Sequence, residues 1–123
     1  IVLRPERTLK EGLLITTAAA TAVCRAVKKI CGIDLGIKWV NDLYFHNKKV
    51  CGILTEAVTD FESGNIEFAV VGIGLNLYVP EEGFPEDIQE TAGALFGSRK
   101  VEFLKIYRKR LEHYLKTGMM QSI

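Results

Sequence analysis

The chain has 123 residues, 48% of them hydrophobic and 25% charged, and its formal net charge is +1. That length suits one domain able to bury about two-thirds of its unfolded surface. A near-neutral balance leaves no electrostatic footprint for nucleic acid, no apolar run reaches the roughly 18 residues of a membrane span, and nothing at the start resembles a signal peptide. A protein of the cytoplasm, with no membrane or nucleic-acid partner, is therefore expected. The three cysteines, Cys24, Cys31 and Cys51, lack Cys-x-x-Cys spacing and read as small buried apolar residues. His46 and His113 are far apart and belong to no visible ligand set, so no metal site is expected.

Ile1-Val2-Leu3-Arg4-Pro5 reads as the end of a strand entered from upstream. From Thr8 to Cys31, Leu9, Leu13, Leu14, Ala20, Val23, Cys24, Val27, Ile30 and Cys31 recur at three- and four-residue steps, which predicts an amphipathic helix. Gly32 stops it, and Lys28 and Lys29 complement its dipole. Gly36 to Trp39 reads as a strand, followed by a turn at Val40-Asn41-Asp42. A strand begins at Leu43, turns at His46-Asn47-Lys48, and returns from Lys49 to about Thr59. After a turn over Asp60 to Gly64, a further strand runs from Asn65 to Asn76.

Turns at these intervals predict an antiparallel meander. The return strand is apolar on both alternating sets (Val50, Gly52 and Leu54; Cys51, Ile53 and Ala57), which predicts a central strand with a helix on one side and a ligand-carrying face on the other. Pro80 to Phe96 reads as loop with a short helix near Ile88 to Leu95. Val101, Leu104, Tyr107, Leu111, Tyr114 and Leu115 mark a final helix ending near Gly118, and Arg108-Lys109-Arg110 is a solvated face of it. The fold class is α+β, a mostly antiparallel sheet packed against helices.

Three blocks carry the chemistry. Lys38-Trp39-Val40-Asn41-Asp42 joins a cation to a turn, and Gly52-Ile53-Leu54-Thr55-Glu56 and Gly72-Ile73-Gly74-Leu75-Asn76 place glycines inside strands. Singly, each has a bland explanation. Glycines in strands mark bulges or close contacts, a lysine beside a tryptophan is usually a snorkelling surface residue, and Asn-Asp pairs form turns. The Gly72 block is no dinucleotide fingerprint, since Leu77 occupies the third glycine position and Pro80 opposes a helix there. No Walker-type phosphate loop is present.

Taken in this order over roughly Thr8 to Val79, the three blocks resemble the catalytic core of biotin protein ligases. The resemblance implies the biotin/lipoate ligase catalytic fold, akin to class II aminoacyl-tRNA synthetases. It also implies formation of biotinyl-5′-AMP from biotin and ATP with Mg2+, and transfer of biotin to a lysine of a biotin carboxyl carrier protein. By similarity, Lys38 is the catalytic lysine, lying between the biotin carboxylate and the α-phosphate. Gly52, Gly72 and Gly74 let the ligand lie on bare backbone, and Asn76 holds the adenine. Asn41 and Asp42 support the lysine, and Trp39 packs in the core. Some family members dimerise through a sheet edge, so a homodimer is among the implied partners.

Three departures qualify the resemblance. Val40 replaces the family's usual proline, the family's Gly- and Arg-rich loop has no counterpart in residues 1–123, and neither has its C-terminal β-barrel. The expectation is one domain, the central part of a ligase catalytic domain, inactive if it acts alone. A lipoate-protein ligase and a non-catalytic biotinyl-adenylate-binding module are the alternatives, with a structural α+β domain behind them.

Overall fold

The computed structural model describes residues 1–38, 41–97 and 101–119. Trp39, expected in the core, and Val40, at the proline position, lie outside the described residues.

Glycine and positive-φ residues set the punctuation. Helix α1 (Gly12–Cys31) follows a single 3-10 turn at Leu9–Glu11 and stops at Gly32, whose φ of 70° is the left-handed conformation expected of a glycine cap. The hairpin joining β3 (Asp42–Phe45) to β4 (Lys48–Thr59) turns through His46 and Asn47, both left-handed at φ 50° and 62°. Two consecutive positive-φ residues match the right-handed twist of the flanking strands. With β1 (Val2–Leu3), β2 (Gly36–Lys38) and β5 (Ile66–Leu75), these form one sheet ordered β1-β5-β4-β3-β2, antiparallel at every pairing. The expected meander is β2 to β5, and β4 is its central strand.

The core lies on one face only. Ile15, Ala19, Ala22, Val23, Ala26 and Val27 of α1 pack against Leu43, Val50, Cys51, Ile53, Ala69 and Val71 of the sheet. The alanines let the helix lie close, and the Thr16 hydroxyl donates to the Thr55 hydroxyl across the seam at 3.0 Å. Helix α2 (Val101–Tyr114), with its last turn wound as a π-turn over Leu115–Met119, adds Leu111 and Leu115 to this core. No helix among the described residues is long and apolar enough to cross a membrane. Leu43 is fully buried at the centre of the sheet, so Leu43→Ala is expected to cost about 2–5 kcal/mol, read as a lower urea midpoint at unchanged slope.

Two expectations are corrected. β4 is not buried on both faces: Leu54 is 64% and Val58 45% exposed, because no layer among the described residues covers the face opposite α1. The short helix near Ile88 to Leu95 is absent. The segment makes one tight turn, with the Thr91 and Ala92 amides donating to the Ile88 carbonyl, and then extends. Its Lys49 and Gly93 backbone bonds take the place of a helical ladder, with the Lys49 amide donating to Thr91 O at 2.7 Å and the Gly93 amide to Lys49 O at 2.9 Å.

Candidate functional site

The uncovered face carries the candidate site. Register aligns Lys38 with Asp42, Asp42 with Gly52, and Gly52 with Gly74, a single row across β2, β3, β4 and β5. In the next row Leu54 faces Gly72. Residues directly opposite one another project to the same face, so three glycines lie together as a patch of bare main chain. No protein atom crowds them. A Cβ on Gly72 would come no nearer than 3.7 Å to Leu54 O, and one on Gly74 no nearer than 3.9 Å to Gly52 O. Packing does not demand glycine here, and the three positions leave bare main chain open on this face. Asn41, Asp42, Lys49, Gly52, Leu54, Gly72 and Gly74 line a shallow depression of about 480 Å³.

The lysine laid over this floor is Lys49. Its ammonium is 3.0 Å from Asp42 Oδ1, and a Cβ on Gly52 would meet Lys49 Cε and Nζ, both at 3.6 Å. Lys38 occupies the end of the same row but is exposed, with its ammonium 4.2 Å from the centre of the Tyr44 ring. One carboxylate therefore stands between two lysines. Asp42 pairs with Lys49, and Glu56, two rows beyond Gly52 on β4, puts a second carboxylate on the same face, so the positive charge is local to the Lys38–Lys49 end.

A β-bulge accounts for the position of Lys49. β3 pairs Leu43 with Cys51 but Tyr44 with Lys49, which makes Val50 the extra residue. Val50 and Cys51 are both fully buried on the core side. Strict alternation would put Lys49 on that side too, with Cys51 and Ile53; the bulge turns it onto the open face. Cys51 lies behind the floor, where burial, its largest cause, pushes the thiol pKa up to about 12, with nearby Cys24 adding to the rise. The folded pKa lies above the unfolded value, so the stabilisation is complete below about pH 8.5 and is lost as pH rises toward 12. Cys51 is expected to resist alkylation at pH 8 in the native protein and to react once guanidinium unfolds it, as counted by mass spectrometry.

The two asparagines are braced by main chain. Asn41 mimics a continued strand, its Nδ2 donating to Ile53 O at 2.9 Å while its carbonyl accepts from Ile53 N at 3.1 Å. Asn76 stands where β5 leaves the sheet. Its amide donates to Val50 O at 2.8 Å, and its side-chain Nδ2 donates to Gly93 O at 3.1 Å. The structure thus gathers Asn41, Asp42, Gly52, Gly72 and Gly74 at one depression, and holds Asn76 at the end of the β5 strand that carries two of those glycines. Lys38 stays at its edge.

A second concavity, of about 550 Å³, runs along the edge of β5 beside α2. Ile1, Ile73, Leu75, Leu111 and Leu115 are among its lining, with Arg108, Glu112 and Lys116 on the α2 side. Its walls are mostly aliphatic, and it lacks the lysine-over-glycine arrangement.

Known proteins share both the sequence pattern and the fold. The model of the biotin/lipoate A/B protein ligase family matches residues 1–76. The bifunctional ligase/repressor BirA of Bacillus subtilis is 30% identical over 96% of this chain, though the match covers 38% of that protein. The biotin–[acetyl-CoA-carboxylase] ligase of Paracoccus denitrificans is 35% identical over 70% of this chain and 36% of its own length. The chain thus spans well under half the length of these curated relatives. Among solved structures, the apo biotin protein ligase of Aquifex aeolicus superposes over 98% of this chain and 52% of its own, with a TM-score of 0.60 and 28% identity. The same enzyme in complex with biotin and ATP superposes equally well, at a TM-score of 0.60 and 26% identity. By sequence and by fold, this chain belongs to the biotin/lipoate A/B protein ligase family, within its biotin protein ligases.

Proposed function

We propose that this chain supplies the adenylate-forming floor of a biotin protein ligase. On this floor the carboxylate of biotin attacks the α-phosphorus of ATP, pyrophosphate leaves, and biotinyl-5′-AMP results. Biotin then passes to a lysine of a carrier protein. The observation that carries the proposal is Lys49, held by Asp42 across a floor of three uncrowded glycines.

The bare backbone admits a flat ligand. Lys49 balances the negative charge that grows on the phosphoryl oxygens as the carboxylate attacks, an electrostatic role rather than a nucleophilic one. Asp42 holds that lysine in place before the ligand arrives and shares it afterwards. Lys38, which the resemblance makes the catalytic lysine, stands at the end of the row, and its head can leave the Tyr44 ring to share the anion with Lys49. Asn76 and Asn41 offer amide groups to the purine edge.

Among the described residues no cluster of three acidic, His or Cys side chains forms a metal cage. Mg2+ is thus assigned to the ATP phosphates as part of the substrate, where it neutralises charge on the leaving pyrophosphate.

Biotin is favoured over lipoate by the relatives of this chain, whose names are those of biotin ligases. ATP–pyrophosphate exchange, run with biotin and with lipoate in parallel, tests the assignment. With this chain joined to the Gly- and Arg-rich loop of the family, exchange dependent on biotin alone is expected, and exchange dependent on lipoate alone would transfer the chain to the lipoate branch. Tight binding of biotinyl-5′-AMP without exchange would make it an adenylate-binding module.

A further inference from the structure

β5 stops covering β4 at Leu75, opposite Cys51. One residue beyond, Asn76 donates its amide to Val50 O, and the next residue of β4 is Lys49. From there a different part of the chain becomes the neighbour of β4. Residues 91–93 run parallel to it, bridged at Lys49 and Ala92. The Lys49 amide donates to Thr91 O at 2.7 Å, and Lys49 O accepts from the Gly93 amide at 2.9 Å. The main chain of the floor lysine is therefore held from both sides by a segment more than forty residues away in sequence. The carbonyl of Gly93 then accepts from Asn76 Nδ2 at 3.1 Å.

We propose that Gly93 is a positioning residue for adenylate formation, one whose two main-chain groups hold Lys49 and Asn76 in fixed relation. The proposal rests on the function proposed above and deepens it. Three observations support it.

Lys49 immediately precedes the bulge residue Val50, and a bulged strand lacks the regular ladder that would otherwise fix its direction. The two bonds from residues 91 and 93 restore that constraint where the side chain must aim at the floor. Next, Gly93 packs directly on Lys48: a Cβ there would lie 2.5 Å from Lys48 Cβ and 3.3 Å from Lys48 Cγ. Since the nearest atom is the root of a side chain and not its flexible end, the segment cannot keep its place with any larger residue. Finally, Lys48 donates from its ammonium to Glu90 O, which fastens the same segment a second time. The strap is thus built against the hairpin that carries the reactive lysine, and Gly93 sets its distance. A misplacement of about 1 Å at a reacting centre costs on the order of a hundredfold in rate, so a main-chain shift here matters well beyond its effect on stability.

The test uses the 123-residue chain, the sulfamoyl analogue of biotinyl-5′-adenylate as probe, and amide hydrogen exchange. In Gly93→Ala, the Lys49 amide is expected to exchange at least about tenfold faster while the Ile53 amide keeps its protection. Affinity for the analogue should fall on the order of tenfold to a hundredfold. Lys48→Gly removes the atom that the new Cβ would strike. Because Lys48→Gly also removes the ammonium bond to Glu90 O, the double variant Gly93→Ala/Lys48→Gly is compared with Lys48→Gly alone, and the two should match in both the protection of Lys49 and the affinity.

Faster exchange at Lys49 with affinity unchanged would overturn the proposal, and so would unchanged exchange at Lys49. Loss of protection throughout the sheet would overturn it as well, by showing that Gly93 serves the fold alone. These failures are read against the wild-type chain. If wild type binds the analogue, they fall on Gly93 only; if wild type does not bind, the functional assignment fails and this inference with it.

Discussion

Lys49→Gln is expected to slow biotin-dependent ATP–pyrophosphate exchange by about 10²–10³-fold, the usual consequence of removing one donor aimed at developing charge. Glutamine keeps most of the length and can still lie over Gly52, so the change removes the cation and little else. Lys38→Gln is expected to cost about tenfold if the Lys38 ammonium keeps its place over the Tyr44 ring, where it is exposed and acts through a screened field. The contrast separates the two lysines that flank Asp42. Equal large losses at both positions would mean that Lys38 leaves the Tyr44 ring and joins Lys49 on the ligand. A large loss at Lys38 alone would move the catalytic role to the edge strand. Thermal melts of both variants should match wild type within a few degrees, because the Asp42–Lys49 pair is partly exposed and such pairs contribute at most about 1 kcal/mol.

Gly74→Val should abolish adenylate binding while leaving the protein as stable as before or more so. The prediction turns on an asymmetry between packing and function. Since a Cβ at Gly74 meets nothing nearer than Gly52 O at 3.9 Å, a β-branched side chain fits an open strand position and should raise stability by up to about 1 kcal/mol. The same side chain fills the surface on which the ligand is proposed to lie. Affinity for a biotinyl-adenylate analogue is therefore expected to fall by at least about a hundredfold, roughly 2.7 kcal/mol. If Gly74→Val instead destabilises the fold and leaves binding intact, the glycines serve the sheet, and the floor is no ligand site. Gly93→Ala is the counterpart: there a Cβ does collide with the protein, so stability and positioning are expected to change together.

The strands, their turns and α1 could be traced from residue pattern because each signal was local. Alternation, the His46-Asn47 turn and the Gly32 stop all act within a few residues of where they are read. The glycine floor was also legible, since Gly52, Gly72 and Gly74 fall at even spacing on strands whose pairing follows from the turns. Lys49 was not, because its orientation depends on one unpaired residue. Val50 is hydrophobic and sits where alternation allows it to face either side, so nothing in the pattern distinguishes a bulge from a regular strand. Only the pairing of Leu43 with Cys51 and of Tyr44 with Lys49 reveals it. The strap failed for a related reason. Residues 88–95 contain helix-compatible spacing, but the backbone partners of Thr91 and Gly93 lie on β4, and a long-range pairing of that kind leaves no periodic trace. A glycine that meets Lys48 in space looks, in sequence, like any loop glycine.

The Asn76 assignment shows how the structure modifies a role inferred from resemblance. With Nδ2 already donating to Gly93 O, this side chain is pre-oriented, and its carbonyl oxygen becomes the group best able to accept from an exocyclic amine. Asn41 is braced in the same manner against Ile53. Two amides held by backbone before any ligand binds cost less to order on binding than two free ones.

The most direct test is an NMR titration of the 123-residue chain with the sulfamoyl analogue of biotinyl-5′-adenylate, following the backbone amides of Asn41, Asp42, Lys49 and Gly52, which line the floor but not the groove beside α2. A ligand seated on the glycine floor should shift all four with a common dissociation constant, with Asn76 moving alongside them. Shifts confined to Leu75, Leu77 and Leu111, with the floor amides still, would place the ligand in the groove beside α2 and contradict the site proposed here.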